Sequence, residues 1–218
     1  MSYCQNNYVS LPFVEIEVRL GTIVTNENNT YFDNNLDKLH FQQINTALML
    51  EGVWQSIEEL STVEYYYSGN SGNSGGKKSE SIRLIENKNN NSVSMKENII
   101  SNTIQLKNSP FDIRFSINQE FSLNSYLKSF DKNNCLVRNK TRKSYISDNF
   151  KYDLTYVIQT DNNIQKEKYE IEIELIANSE TLTWDNKYIN KFLECKIYDL
   201  IKIVEDVNRD SVKIKLFD

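Results

Sequence analysis

A chain of 218 residues, 39% hydrophobic and 25% charged, can bury a sizeable core and is too apolar for a disordered polypeptide. Its net charge of −5 argues against a general nucleic-acid binder, which carries a basic excess, while leaving room for one local basic path. Three widely spaced cysteines (Cys4, Cys135, Cys195) and one histidine (His40) exclude most Cys/His zinc frameworks and a disulfide scaffold. They also exclude a histidine-centred triad unless His40 is the base. No apolar run approaches a membrane span and no secretory signal opens the chain, so an intracellular protein without a membrane partner is expected.

Residues 1–10 are polar and aromatic, and 11–23 hold a first strand in which Glu15, Glu17 and Arg19 alternate with Ile16, Val18 and Leu20. Asparagine clusters at 26–29 and 87–91 read as loops, the first extending over 26–35. The spacing of Leu36, Leu39, Ile44 and Leu48 predicts a helix over 37–50, capped by Asn34 or Asn35 and carrying His40 as a surface or half-buried residue. A strand rich in β-branched and aromatic residues follows at 62–67. The glycine-rich run 69–76, followed by Lys77 and Lys78, is a loop rather than a phosphate cradle, because it lacks a Gly-Lys-Ser/Thr ending and a strand-to-helix context. Short strands are expected at 81–86, 92–97 and 103–106. Strong alternation at 112–120 sets Asp112, Arg114, Ser116, Asn118 and Glu120 on one side, and 121–130 is a loop or short helix. Arg138, Lys140 and Arg142 then share one face of a strand at 137–145. A strand at 150–158 puts Tyr152, Leu154 and Tyr156 opposite Asp153 and Thr155. After a turn at 161–168, Glu170, Glu172 and Glu174 share a face of the strand 169–176, roughly 7 Å apart along it. The chain closes on a helical pattern over 186–204, whose apolar surface near Ile197 and Ile201 is either core or a partner surface.

No Pro/Gly/Ser linker divides the chain, so one mostly β (α+β) domain over 1–218 is expected, with about eight antiparallel strands and two helices outside them. An open sheet would leave either its charged or its apolar face wet. A closed barrel with the charges inward removes that conflict, although alternation alone does not say which face is inward. In a barrel, Glu15, Glu17, Glu170, Glu172 and Glu174 form an acidic wall, and Arg19, Arg83, Lys96, Arg114, Arg138, Lys140 and Arg142 a basic one. Carboxylates without His or Cys select a hard cation, Mg²⁺ or Mn²⁺, and Arg and Lys suit phosphate oxygens. Together they fit a metal-bound polyphosphate. The alternative is a β-rich binding or assembly protein whose charged strands face solvent.

Five segments carry a resemblance: Glu15-Ile16-Glu17-Val18-Arg19-Leu20-Gly21; Arg138-Asn139-Lys140-Thr141-Arg142; Ser144-Tyr145; Tyr152-Asp153-Leu154-Thr155; and Glu170-Ile171-Glu172-Ile173-Glu174. In this order they resemble the motifs of the metal-dependent RNA 5'-triphosphatases, the capping enzymes of fungi, protozoa and large DNA viruses within the triphosphate tunnel metalloenzymes. The resemblance implies an eight-stranded antiparallel tunnel with a hydrophilic interior that removes the γ-phosphate from triphosphate-ended RNA, with side activity on free nucleoside triphosphates. It implies Glu15, Glu17 and Glu174 as ligands of Mg²⁺ or Mn²⁺, Glu172 joining through water, and Glu170 orienting a basic neighbour. Glu120 would position the attacking water, and Lys96 would meet the γ-phosphate. Arg83, Arg138, Lys140 and Arg142 would grip phosphates, and Asp153 would hold basic side chains. Arg19 stands where the branch containing thiamine triphosphatase and class-IV adenylyl cyclases typically has lysine, which favours the capping branch over an inorganic- or thiamine-triphosphatase. No Lys-x-Asp-Gly motif is present, so these residues carry no guanylyltransferase of their own; an RNA guanylyltransferase, fused or separate, is the partner the resemblance implies, in the nucleus, or in the cytoplasm or virion for a viral protein.

Overall fold

The computed structural model describes residues 14–27, 29–66, 81–88, 90–133, 135–161 and 164–204. The expected segment 1–10 with Cys4, the loop 69–76, and Lys77 and Lys78 lie outside these residues.

Nine strands form one antiparallel sheet: β1 (Val14–Thr25), β2 (Thr30–Asp33), β3 (Ser56–Tyr66), β4 (Ser81–Glu86), β5 (Asn91–Ile104), β6 (Asp112–Ser122), β7 (Leu136–Ile146), β8 (Phe150–Asp161) and β9 (Ile164–Leu175). Eight of them run β1-β6-β5-β4-β3-β7-β8-β9 around the sheet, and β9 returns to β1 through the pairs Ile16↔Leu175 to Arg19↔Glu172. The result is a closed eight-stranded barrel, with β2 folded back on the end of β1 through Thr22↔Asp33 to Thr25↔Thr30. Closure leaves none of these eight strands with a free edge along the segment that closes it.

The register settles which face is inward. On β1, Val18 and Leu20 are buried outside the wall, and so are Ile113, Phe115 and Ile117 on β6 and Ile171 and Ile173 on β9. The apolar core therefore lies outside the barrel, between its wall and two helices, α1 (Lys38–Glu51) and α2 (Asn186–Val204). From α2, Ile189, Leu193, Ile197, Leu200 and Ile201 enter it fully buried, each worth about 1.5–3 kcal/mol. The surface near Ile197 and Ile201 is thus core. From α1 only Ile44 and Leu48 are buried. No helix of the described residues is long and apolar enough to cross a membrane.

Several expectations are corrected. The cap of α1 is Asp37, whose side chain accepts from the His40 backbone N–H at 3.0 Å. Asn35 instead accepts from the Tyr169 N–H at 2.9 Å and so ties the helix entry to β9. Leu39 is 62% exposed, because an N-terminus set at Asp37 turns it away from the face that Ile44 and Leu48 occupy. The expected loop 26–35 contains β2. The expected pair of strands at 92–97 and 103–106 is one strand, β5, with a register shift between Asn98 and Ile100. The phase of alternation breaks there because Ile99 and Ile100 both pack against the outer core, as a bulge permits. The expected turn at 161–168 is largely strand, since β9 begins at Ile164 and pairs with Asp161. β3 begins six residues before the expected 62, and 121–130 holds a short 3-10 helix, Asn124–Ser129.

Candidate active site

Inside the barrel is a cavity of about 460 Å³, lined by seven carboxylates and seven cations. Alternation explains the segregation: each strand offers every second side chain to the interior, and on β1, β7 and β9 those positions are nearly all ionised. Burial of so many charges is tolerable only because unlike charges pair.

On the acidic side, Glu17 and Glu174 are direct partners across the β1–β9 seam, as are Arg19 and Glu172. Facing pairs of this kind bring Cβ atoms to about 4.5–5.5 Å. The Lys96 ammonium, from β5, lies 2.5 Å from Glu15 Oε2 and 3.4 Å from Glu17 Oε2. Glu17 Oε1 accepts from Asn118 Nδ2 at 2.9 Å. Lys151 Nζ, from β8, sits 3.0 Å from Glu174 and 3.4 Å from Asp153. Arg19 lies between Glu17 (3.2 Å) and Glu172 (2.9 Å); the latter is an ion contact whose Nε–H is not aligned as a hydrogen bond.

The opposite wall is held by a different set. Arg142 reaches Asp153 at 3.1 Å and Glu172 at 3.7 Å, and donates to Thr155 Oγ1 at 3.2 Å. Asp153, fully buried, also accepts from Ser144 Oγ at 2.5 Å. Arg138 pairs with Glu170 at 2.5 Å. Lys140 pairs with Glu64 at 2.6 Å, and Glu64 also accepts from the Tyr66 hydroxyl at 2.5 Å. Arg83 reaches Glu120 at 2.8 Å and donates to Ser94 Oγ at 3.2 Å.

The carboxylates of the cavity titrate differently according to how their burial is offset. Burial, with the neighbouring charge of Glu15 and against the offset of Lys151, pushes Glu174 up to about 7. Burial likewise raises Glu15 despite Lys96. On Glu120, burial is outweighed by Arg83 and by hydrogen bonds, which hold it at about 2. On Glu172, burial is outweighed by Arg19 and Arg142, and its pKa is lowered. Burial thus outweighs the charge compensation that Lys96 and Lys151 give Glu15 and Glu174. Carboxylate oxygens are the donor set a hard divalent cation requires. Among the described residues no three side chains converge as a ready-made coordination set, and Lys96 and Lys151 sit against the oxygens of Glu15, Glu17 and Glu174.

The model of the family described as "mRNA capping enzyme, beta chain", the mRNA triphosphatases, matches residues 13–206. The chain belongs to this family. Solved structures similar to this chain include the S. pombe Pct1 RNA triphosphatase, with a TM-score of 0.68 at 20% identity over 89% of this chain and 88% of that one. Pct1 in complex with the Spt5 CTD gives 0.64 at 21% identity over 89% of each chain. The triclinic structure of the Mimivirus capping enzyme triphosphatase gives 0.62 at 16% identity over 92% and 93%. No curated protein sequence matches. The chain is thus an RNA triphosphatase of the capping type, a polynucleotide 5'-phosphatase built on the tunnel fold.

In this triphosphatase Glu15, Glu17, Arg19, Arg83, Lys96, Glu120, Arg138, Lys140, Arg142, Glu170, Glu172 and Glu174 all line the cavity. Asp153 lies beneath Arg142 and Lys151. Arg114 is elsewhere: its guanidinium lies over the Phe32 ring of β2, 5.1 Å from the centroid, and burial and the nearby Arg19 lower its pKa. Glu64, Tyr66, Lys151 and Asn118 were not singled out from the sequence. Glu64 is a lone acid in a run of β-branched and aromatic residues. Its signal is the phase of β3, where Leu60, Thr62, Glu64 and Tyr66 all face inward.

Proposed function

We propose that the cavity hydrolyses the γ-phosphate of triphosphate-ended RNA with Mg²⁺ or Mn²⁺ held by Glu15, Glu17 and Glu174, and acts more slowly on free nucleoside triphosphates. The observation that carries this reading is the Glu17↔Glu174 pairing, both side chains lining the cavity, opposite a wall of Arg and Lys. A bound divalent cation would neutralise phosphate charge and polarise the phosphate oxygens.

The chain's own residues supply the rest. Arg138, Lys140, Arg142 and Arg83 exchange their carboxylate partners for phosphate oxygens, with Arg19 behind them, and stabilise the charge that develops as the β–γ bridge breaks. Lys96 meets the γ-phosphate from β5. Glu120, ionised at neutral pH and with a pKa of about 2, is a weak base. It therefore accepts a hydrogen bond from the attacking water and orients it, rather than taking its proton early. Glu172 and Glu170 hold Arg19, Arg142 and Arg138 in place, and Asp153 holds Arg142 and Lys151. Arg114, over Phe32, is left out of the phosphate grip. A single domain over 1–218 carries the activity, and an RNA guanylyltransferase takes up the diphosphate end, in the nucleus or, for a viral protein, the cytoplasm or virion.

Phosphate release from triphosphate-ended RNA, ATP and inorganic triphosphate, each with Mn²⁺, Mg²⁺ or a chelator, tests the proposal. Release is expected to need the cation and to be fastest on RNA. Release unaffected by chelator, or fastest on inorganic triphosphate, overturns it.

A further inference from the structure

Asn118 lies on β6 and is 4% exposed, with one polar neighbour on each side. Its Nδ2 donates to Glu17 Oε1 at 2.9 Å, and its Oδ1 accepts from Asn98 Nδ2 at 2.9 Å. Asn98 Nδ2 also donates to the Ile100 carbonyl at 3.0 Å. This chain of amides has a direction. A backbone carbonyl only accepts, so Asn98 must turn its NH₂ group inward. Asn118 must then answer with its oxygen and present its own NH₂ to the carboxylate. Flipping Asn118 would set two oxygens against each other at Glu17.

The anchoring carbonyl is reachable because of the bulge. Asn98 pairs with Asn118 whereas Ile100 pairs with Ile117, so one extra residue is looped out between them. That residue, Ile99, lets two successive isoleucines face the outer core while Asn98 stays over Asn118. The packing outside the barrel thereby fixes an amide inside it.

Glu17 is contested. Arg19 Nη2 lies 3.2 Å from its Oε1 and 3.3 Å from its Oε2, and Lys96 Nζ is 3.4 Å from Oε2. We propose that Asn118, set by Asn98, is a positioning residue for divalent-cation binding: it holds Oε1 and fixes the plane of the carboxylate, so that the cation has only to displace Arg19 and Lys96 from Oε2. This inference rests on Glu17 being a metal ligand, as proposed above. Removing the amide leaves that plane unfixed, and the cation then has to order the carboxylate as well. Partners of this kind usually change metal affinity by about 10–100-fold.

The test is Mn²⁺ affinity without substrate, read from the electron paramagnetic resonance signal of free Mn²⁺, for the full chain and the variants N118A, N98A, N98A/N118A and E17Q. N118A is expected to weaken Mn²⁺ binding by about tenfold or more. N98A, whose side chain is exposed at the bulge and removable with little cost to folding, is expected to weaken it by less. The double variant is expected to match N118A alone, because both residues act through one relay. The Mn²⁺ concentration for half-maximal rate should rise in parallel, while KM for the RNA at saturating Mn²⁺ holds. Wild-type affinity in N98A and N118A, or losses that multiply in the double variant, overturns the relay. Undiminished Mn²⁺ binding by E17Q overturns the ligand assignment itself, and the relay with it.

Discussion

Arg138 and Glu64 carry the consequences that belong to single residues. Arg138 is paired with Glu170 and borders the cavity, so truncating it removes one donor aimed at the phosphates without emptying the apolar core. R138A is expected to lose about 2–4 kcal/mol of transition-state stabilisation, read as a fall in kcat/KM on triphosphate-ended RNA, and to lower the unfolding midpoint as well, because Glu170 is left buried without its partner. Glu64 acts on stability instead. Burial alone would raise its pKa, but Lys140, Arg83 and the Tyr66 hydroxyl outweigh it and hold the carboxyl below its ordinary value. A group depressed on folding adds stability that is fully present above its unfolded value, about 4.3, and is lost as pH falls toward the folded value. E64Q is therefore expected to be less stable than wild type at pH 7 and to show a flatter decline below about pH 4, measured as urea midpoints across that interval. Equal slopes for the two proteins would remove this role. The paired glutamates and the Arg-x-Lys-x-Arg run were readable in the sequence because neighbouring ionised positions reinforce one period. Glu64, isolated among Thr62, Val63 and Tyr65, had nothing to reinforce it, and its importance comes from β7, which lies far away in sequence.

At the scale of elements, β1 is the strand with three partners, β6, β9 and β2. It pairs with β6 from Val14 to Gly21 along one edge, closes the barrel against β9 from Ile16 to Arg19 along the other, and pairs with β2 from Thr22 to Thr25. Gly21 stands at that hand-over. A Cβ there would lie 2.2 Å from the Asp33 carbonyl oxygen and 2.6 Å from the Phe32 ring. The ring can swing aside, but the backbone oxygen moves only if β2 does. G21A is expected to push β2 off β1, to cost about 1–3 kcal/mol in an unfolding measurement, and to release Arg114 from the Phe32 face. The sequence showed β1 clearly and missed β2, for a physical reason: four residues between asparagine-rich turns have too few alternations to define a period, and they form a strand only because β1 supplies the ladder. β5 was misread for the converse reason. Its alternation is real on both sides of Ile99 but changes phase there, and two in-phase halves look like two strands until the outer core explains why both isoleucines point the same way.

For the whole molecule, the arrangement separates what holds the fold from what performs chemistry. The buried apolar cluster lies between the wall and the two helices, while the ionised groups fill the interior. The alternation foretold both faces but not their assignment, which depends on the β9–β1 closure and on the helices that cover the outside. The separation has a measurable consequence. Leu193 is fully buried on α2 within the apolar cluster, and L193A opens a cavity in the outer core. It is expected to cost about 2–5 kcal/mol of stability, yet to leave kcat per folded molecule nearly unchanged below the unfolding temperature. E174Q should do the reverse. Glu174 faces Glu17 across the seam, and like charges directly opposite one another destabilise a sheet, so removing one is expected to leave the unfolding midpoint in chelator unchanged or slightly higher. Phosphate release from triphosphate-ended RNA should nonetheless vanish, because the cation loses the ligand that β9 sets beside Glu15 and Glu17. Paired thermal melts and phosphate-release assays on the two variants decide the matter: an E174Q that unfolds early, or an L193A that loses its turnover while still folded, would show that the barrel's interior and its outer core are not separable.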